Sequence, residues 1–501
     1  MEPKKSTFDI SRLLLDTVNT YEETADAIVP DTFPDLMRIA AVFGTPQLKD
    51  DVPQSGRVFL SGSIRMTVFY VPEGGGLRKL DIPVSFAHIE EAQDINEHCQ
   101  LFASCQVVSA DARIMNSRKL SVTATLCISC QVFCPESLTL TTAFDDADEQ
   151  LEILPASHLV TLPVCACRRE FTLMDDVNLA DFSRYSSIAV PRAELRLSDC
   201  RLMNEKAIIK GDAVLHLLAE TTDGLLENAD CVLSFTQIVE AEGMKDDGQL
   251  SVRFAVRHLD AEMRDDGLVS IGLGASVLLT AFETLTLQTI EDVYHLQHPV
   301  QMESRSIPLS SCQLLPELGC EASETLSVGM KIAQIADVTA VTDRLMQESS
   351  PLCLRMMVCV LYRAEDGCYY SIHRAVQMPL DVPAAPETVR LQALQCRASA
   401  AVSGEDSIVL SLSGRCSVLA QESLTIRDLT TLTVDTEACS PSVPVSVILR
   451  YMDAGERLWD IAKSYRTTVD AIRQANQLTE DVMNTQAQML LIPVRYPRGV
   501  A

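Results

Sequence analysis

Seventeen cysteines and eight histidines give this chain of 501 residues the raw material for metal or thiol chemistry. Cys127-x-x-Cys130 with Cys134 has metal-like spacing. A structural metal site, however, needs about four ligands converging on one point. These cysteines lie in an apolar run with a strand's period, so Cys127 and Cys130 point to opposite faces, and no second CxxC completes the set. Cys165 and Cys167 share a face, with no further ligand near them in sequence. His295 and His298 have no third ligand beside them and read as surface strand residues; no HExxH occurs. Gly272-Leu273-Gly274 sits inside an alternating strand rather than at a strand-to-helix turn, so it is no dinucleotide loop. Asp145-Asp146 and Asp246-Asp247 fall at predicted turns, where aspartate bonds its own backbone. The residues therefore predict no catalytic constellation, no metal and no cofactor: a chain that is not an enzyme.

The elements that carry these side chains are β-strands, and one pattern of them occurs three times. VFLSGSIRMTVFYVPEGGG (58–76), AIIKGDAVLHLLAETTDG (207–224) and LCLRMMVCVLYRAEDG (352–367) are apolar runs ending in a glycine-containing turn. Phe86, Phe235 and Met378 stand at the same distance beyond each turn. A second hairpin follows, with tips at Asn116-Ser117, Asp265-Asp266-Gly267 and Gly404-Glu405-Asp406. The strands leaving those tips alternate: Leu120, Val122, Ala124, Leu126 and Ile128; Val269, Ile271, Leu273, Ala275 and Val277; Ile408, Leu410 and Leu412. Period-two alternation between turn residues predicts half-buried antiparallel strands. The expected fold is mainly β. Three tandem antiparallel β-sandwich-like domains (1–140, 141–290, 291–440) form an elongated body, and a small βααβ unit (445–496) follows the linker Ser440-Pro441-Ser442-Val443-Pro444.

Composition narrows the partners. Hydrophobic residues make up 47% and charged residues 22%, as in ordinary globular chains. A net charge of −28 opposes binding to nucleic acid or an anionic membrane, since phosphate recognition needs a positive field. The charge is uneven. Residues 450–501 hold seven Lys/Arg against six Asp/Glu, so the whole acidic excess lies in residues 1–449. Near the N-terminus, Leu13-Leu14-Leu15 is too short for a signal sequence, and no 18-residue apolar stretch occurs. With an odd number of cysteines scattered through apolar strands, this predicts a soluble protein kept in a reducing cytoplasm.

The last fifty residues carry the most specific pattern. From Val447 to Val494 an apolar strand, an Asp453-Ala454-Gly455 turn, two amphipathic helices and a second strand succeed one another, with Trp459, the only tryptophan, among them. Leu458, Ile461, Ala462 and Tyr465 make one helix face, and Val469, Ile472 and Asn476 another. Thr467 or Thr468 stands at the second helix's N-cap, Arg473 reaches solvent, and Leu490 and Ile492 cover both helices. This segment resembles the LysM module, whose best-known members bind N-acetylglucosamine-containing glycans. The resemblance implies a groove between Gly455-Glu456-Arg457-Leu458 and Val482-Met483-Asn484-Thr485, in which backbone groups meet the acetamido group. The segment departs from the pattern in two places: Glu456-Arg457 replace its acid and hydroxyl, and Ala487 replaces its final glycine. The groove then holds either a glycan or a protein partner.

A second resemblance covers about residues 20–435. The Val29-Pro30-Asp31-Thr32-Phe33-Pro34-Asp35 opening, the strand around Gly62 and the Phe69-Tyr70 hairpin are similar to the SPOCS domain, a β module of endospore-forming bacteria. Leu354 in the third copy replaces Gly62 and Gly211, and only the first copy has the opening motif. The order of domains resembles spore-coat morphogenetic proteins. It implies a non-enzymatic scaffold at the forespore surface in the mother cell, with a coat morphogenetic protein or peptidoglycan as partner. Independently of it, edge strands in each repeat could pair between copies. The alternative is a peptidoglycan or N-acetylglucosamine binder acting through LysM.

Overall fold

In the computed structural model the three apolar runs become the central strands of three like sandwiches. The structure describes residues 2–145, 148–179, 182–241, 248–348, 351–382, 388–436, 446–453, 455–478 and 488–494. Asp146, Asp246-Asp247, the 440–444 linker, Ala454, Val482 to Thr485 and Ala487 lie outside the described residues.

The first repeat comprises β1 (Pro3–Ile28), β2 (Leu36–Gln54), β3 (Arg57–Pro72), β4 (Arg78–Glu91), β5 (Gln100–Asn116) and β6 (Lys119–Phe144). The second comprises β7 (Leu151–Asn178), β8 (Tyr185–Met203), β9 (Lys206–Thr221), β10 (Leu226–Glu240), β11 (Gln249–Met263) and β12 (Leu268–His295). The third comprises β13 (Val300–Leu314), β14 (Leu318–Ser327), β15 (Ile332–Met346), β16 (Leu352–Ala364), β17 (Tyr369–Leu380), β18 (Thr388–Ser403) and β19 (Ser407–Val434). In each, a β2-β3-β4 type sheet packs on a β1-β6-β5 type sheet, all antiparallel; the third repeat splits the outer strand into β13 and β14. The alternating residues of β6, β12 and β19 named above are buried between the two sheets.

The Gly62, Gly211 and Leu354 difference has a packing cause. Gly62 faces Phe86 across the β3–β4 pair, and Gly211 faces Phe235 across β9–β10. A Cβ at Gly62 would lie 2.6 Å from the Phe86 ring, and one at Gly211 2.5 Å from that of Phe235. Each ring thus covers its glycine, a pairing that recurs in sheets. The third repeat swaps both members at once: Leu354 faces Met378, and both are fully buried. An empty position beneath a ring is thus replaced by two aliphatic side chains that share the space between the strands.

The three repeats are not strung end to end as separate domains; they share core layers. Strands β6, β12 and β19 are 26, 28 and 28 residues long, enough to serve a sandwich with one half and a shared core with the other. Their second halves pair with the first halves of β1 and β7 and with β13, giving three two-stranded ribbons. Those ribbons pack on one another through corresponding residues. Leu138, Leu287 and Ile426 form one layer with Ile10, Val160 and Leu309; Phe144, Val293 and Leu432 form the next. At the other end, Phe69, Leu218 and Leu361 meet over Ala40, Ala189 and Ala336. Matching residues from all three repeats in each of these layers place the repeats around a common pseudo-threefold axis. Each seam also holds an ion pair: Asp51 with Arg168 (2.6 Å) and Arg257 (2.8 Å), Asp337 with Arg192 (2.5 Å), and Asp16 with Arg390 (3.2 Å).

Candidate glycan-binding site

The C-terminal unit is built from β20 (Val447–Met452), α1 (Leu458–Tyr465), α2 (Val469–Asn476) and β21 (Gln488–Pro493), with β20 and β21 antiparallel. Leu458, Ile461 and Ala462 of α1 are buried against Ile472, Met452, Leu490 and Ile492, with Tyr465 and Val469 half-buried at the margin. Thr468 is the N-cap of α2, its hydroxyl accepting from Ala471 N at 3.0 Å. Asn476 has a larger part than a helix stripe required. Its amide donates to Leu491 O and its Oδ1 accepts from Leu491 N, both at 2.7 Å, so it fastens α2 to β21. Arg473, expected in solvent, is half-buried and pairs with Asp470.

The first loop of the implied groove is laid out as follows. Gly455 is exposed with φ +88°, a conformation that glycine alone adopts without strain, and nothing lies within 4 Å of where a Cβ would be. Glu456 turns back onto β20, pairing with Arg450 (2.5 Å) and accepting from Asp453 N (3.3 Å), so it braces the turn. Arg457 pairs with Asp460 (3.1 Å) on its own helix and with Glu291 of β12, and both carboxylates raise its already high pKa. Leu458 is buried beneath the loop.

A second stripe of α1, unassigned from sequence, faces the body. Trp459 Nε1 donates to Asp292 Oδ2 (2.9 Å), and Lys463 Nζ sits 2.7 Å from both oxygens of that carboxylate. Burial would raise the Asp292 pKa, yet the bonds from Lys463 and Trp459 hold it below the ordinary carboxylate value. Tyr294 packs edge-on against Trp459 at 4.8 Å, and its hydroxyl donates to Thr467 O at 2.7 Å. Burial pushes the Tyr294 phenol up, with Glu152 and Asp292 adding to the shift. Arg466 donates to Gln297 O (3.0 Å), and Leu154 and Leu296 fill the remaining gap. The module is thus seated on the end of the β7–β12 ribbon. The Trp459, Lys463, Arg466 spacing (i, i+4, i+7) was the available signal.

The other candidate residues separate. Cys130 joins the core of the first sandwich while Cys127 Sγ approaches Asp343 O (3.8 Å) of the third repeat, and Cys134 Sγ lies 2.7 Å from Cys99 Sγ. Cys165 and Cys167 are side by side, 3.3 Å apart. His295 is buried rather than on the surface, because its Nδ1 accepts from Gln297 N and His298 N (3.0 Å each) and so closes the turn after β12. Among the described residues, no three His, Cys, Asp or Glu side chains gather as a metal site would require, and no helix is long and apolar enough to cross a membrane.

One family model matches the chain: the LysM domain, over residues 454–482. The chain therefore carries a C-terminal LysM domain, on a βααβ unit. No curated protein matches the chain, and no solved structure does. The three repeats are left without an assigned family, and nothing in these comparisons supports the SPOCS resemblance.

Proposed function

We propose that this protein is a non-enzymatic adaptor that binds N-acetylglucosamine-containing glycan, peptidoglycan foremost, through its LysM domain. The observation that carries this reading is the LysM match at 454–482, on a unit whose Gly455 loop presents open backbone over a buried Leu458. The residues that would meet the glycan are Gly455, Glu456, Arg457 and Leu458 on one side and Val482, Met483, Asn484 and Thr485 on the other. The three-repeat body is the mount. The test is retention of the full chain on purified peptidoglycan. Retention that soluble N-acetylglucosamine oligomers reverse is the expected result; passage of the chain unretained contradicts it.

The finer placement is spore-envelope assembly in a mother cell, with a coat morphogenetic protein as the second partner. It rests on the order of three β repeats followed by LysM. Fractionation of sporulating cells tests it: recovery with the forespore envelope is expected, and recovery only from vegetative medium contradicts it.

A further inference from the structure

The outer face of the β20–β21 sheet is apolar. Val447, Leu449 and Tyr451 of β20 and Met489 and Leu491 of β21 are between 40% and 65% exposed. Leu449 stands opposite Leu491, and Tyr451 opposite Met489, so these five side chains form one continuous patch. Their strand neighbours Met452, Leu490 and Ile492 point the other way and are buried under the helices. A strand pair in water ordinarily turns polar residues outward. A contiguous apolar face marks an interaction surface.

We propose that this face joins two copies of the chain, sheet against sheet, across a twofold axis. Its complement is another flat apolar sheet, and two such faces pack with interdigitated side chains at about 10 Å. Charge selects the second copy and this place on it. The chain carries −28, all of the excess lying in residues 1–449, whereas residues 450–501 are nearly balanced. Copies of so acidic a protein repel one another least where they meet through this module. The module's geometry agrees: α1 lies between the sheet and the body, with Leu458 and Ile461 turned to the sheet and Trp459 and Lys463 to Asp292. Two copies joined by their sheets hold their acidic bodies on opposite sides. The area sets the strength. Five such side chains offer roughly 500 Å² per copy, about 1,000 Å² in all, at the lower limit for a specific interface. The dimer is therefore weak and concentration-dependent, and it places two LysM domains on one particle.

Sedimentation velocity of the full chain, without glycan, over a concentration series at low and high NaCl tests this. The expected result is a reversible monomer–dimer equilibrium that salt strengthens, because screening relieves the repulsion between bodies. Leu449→Lys and Leu491→Lys should each weaken it at least about tenfold. Met174→Lys, at an exposed site on the body, should leave it unchanged. Unaltered Trp459 emission shows that each variant keeps its module seated. A monomer at every concentration, a dimer that salt weakens, a dimer indifferent to Leu449→Lys, or one that Met174→Lys also abolishes overturns the proposal.

Discussion

The three ribbon ends share one backbone and differ in what they carry. Each has an irregularity at the same place, at Thr142, Glu291 and Thr430, where the pairing skips a residue. A bulge re-aims the side chains beside it. In the second repeat those side chains are Glu291, Asp292 and Tyr294, and they hold Arg457, Trp459, Lys463 and Thr467 of the LysM domain. The first repeat has Thr142, Ala143 and Asp145 there, and the third has Thr430, Thr431 and Thr433. The LysM domain follows the third repeat in sequence yet sits on the second. Side-chain chemistry, rather than proximity along the chain, decides where it sits.

The shared layer beneath the ends gives the largest expected effect. Leu287 is fully buried where all three ribbons meet, so Leu287→Ala should cost about 2–5 kcal/mol of global stability. Leu138→Ala and Ile426→Ala should cost similar amounts, since the layer belongs to every repeat equally. Chemical denaturation checks this; a much smaller cost at one site would break the threefold equivalence. Tyr294→Ala comes next. It removes the ring under Trp459 and the bond to Thr467 O, and should loosen the module by about 3 kcal/mol. Hydrogen exchange along α1 reports it, while Thr433→Ala at the matching site should change nothing.

Asp292→Ala leaves the Trp459 indole and Lys463 without their acceptor, and about 1–3 kcal/mol of docking should go with it. Its pH dependence follows from the lowered pKa. The seated carboxylate is depressed, so its contribution is complete above the ordinary aspartate pKa of about 4 and fades as the pH falls through the lower, seated value. Trp459 emission titrated from pH 7 downward should therefore hold steady to about pH 4 and change below it. A change centred near neutral pH would point to a different group. The smallest effect is expected for Arg466→Ala, which removes one bond to Gln297 O at the rim and should cost no more than about 1 kcal/mol by the same exchange measurement.

What could be read before the structure follows the range of the interactions. Leu120 to Ile128 and their counterparts declare themselves because alternation is local, and so does the Leu458, Ile461, Ala462 stripe. The three-way layers do not. Leu138 and Leu287 look like any buried strand residues until the ribbons are brought together, and the matching sites Thr141, Ile290 and Leu429 do not even share polarity. Asp292 is equally silent in sequence, because its partners lie far along the chain on another element. His295 reads as a surface residue in sequence for the same reason, its neighbours being set by the turn it closes. Of the candidate groove, Gly455 was legible from its turn, while the partner of Arg457 was not.

The LysM domain is held as a fixed part of the body and presents its Gly455 loop from one ribbon end. Time-resolved anisotropy of Trp459, the only tryptophan, measures this in the intact chain. The prediction is a single slow decay, with the module tumbling at the rate of the whole particle. A dominant fast component, that of a small module turning on a free tether, would contradict it.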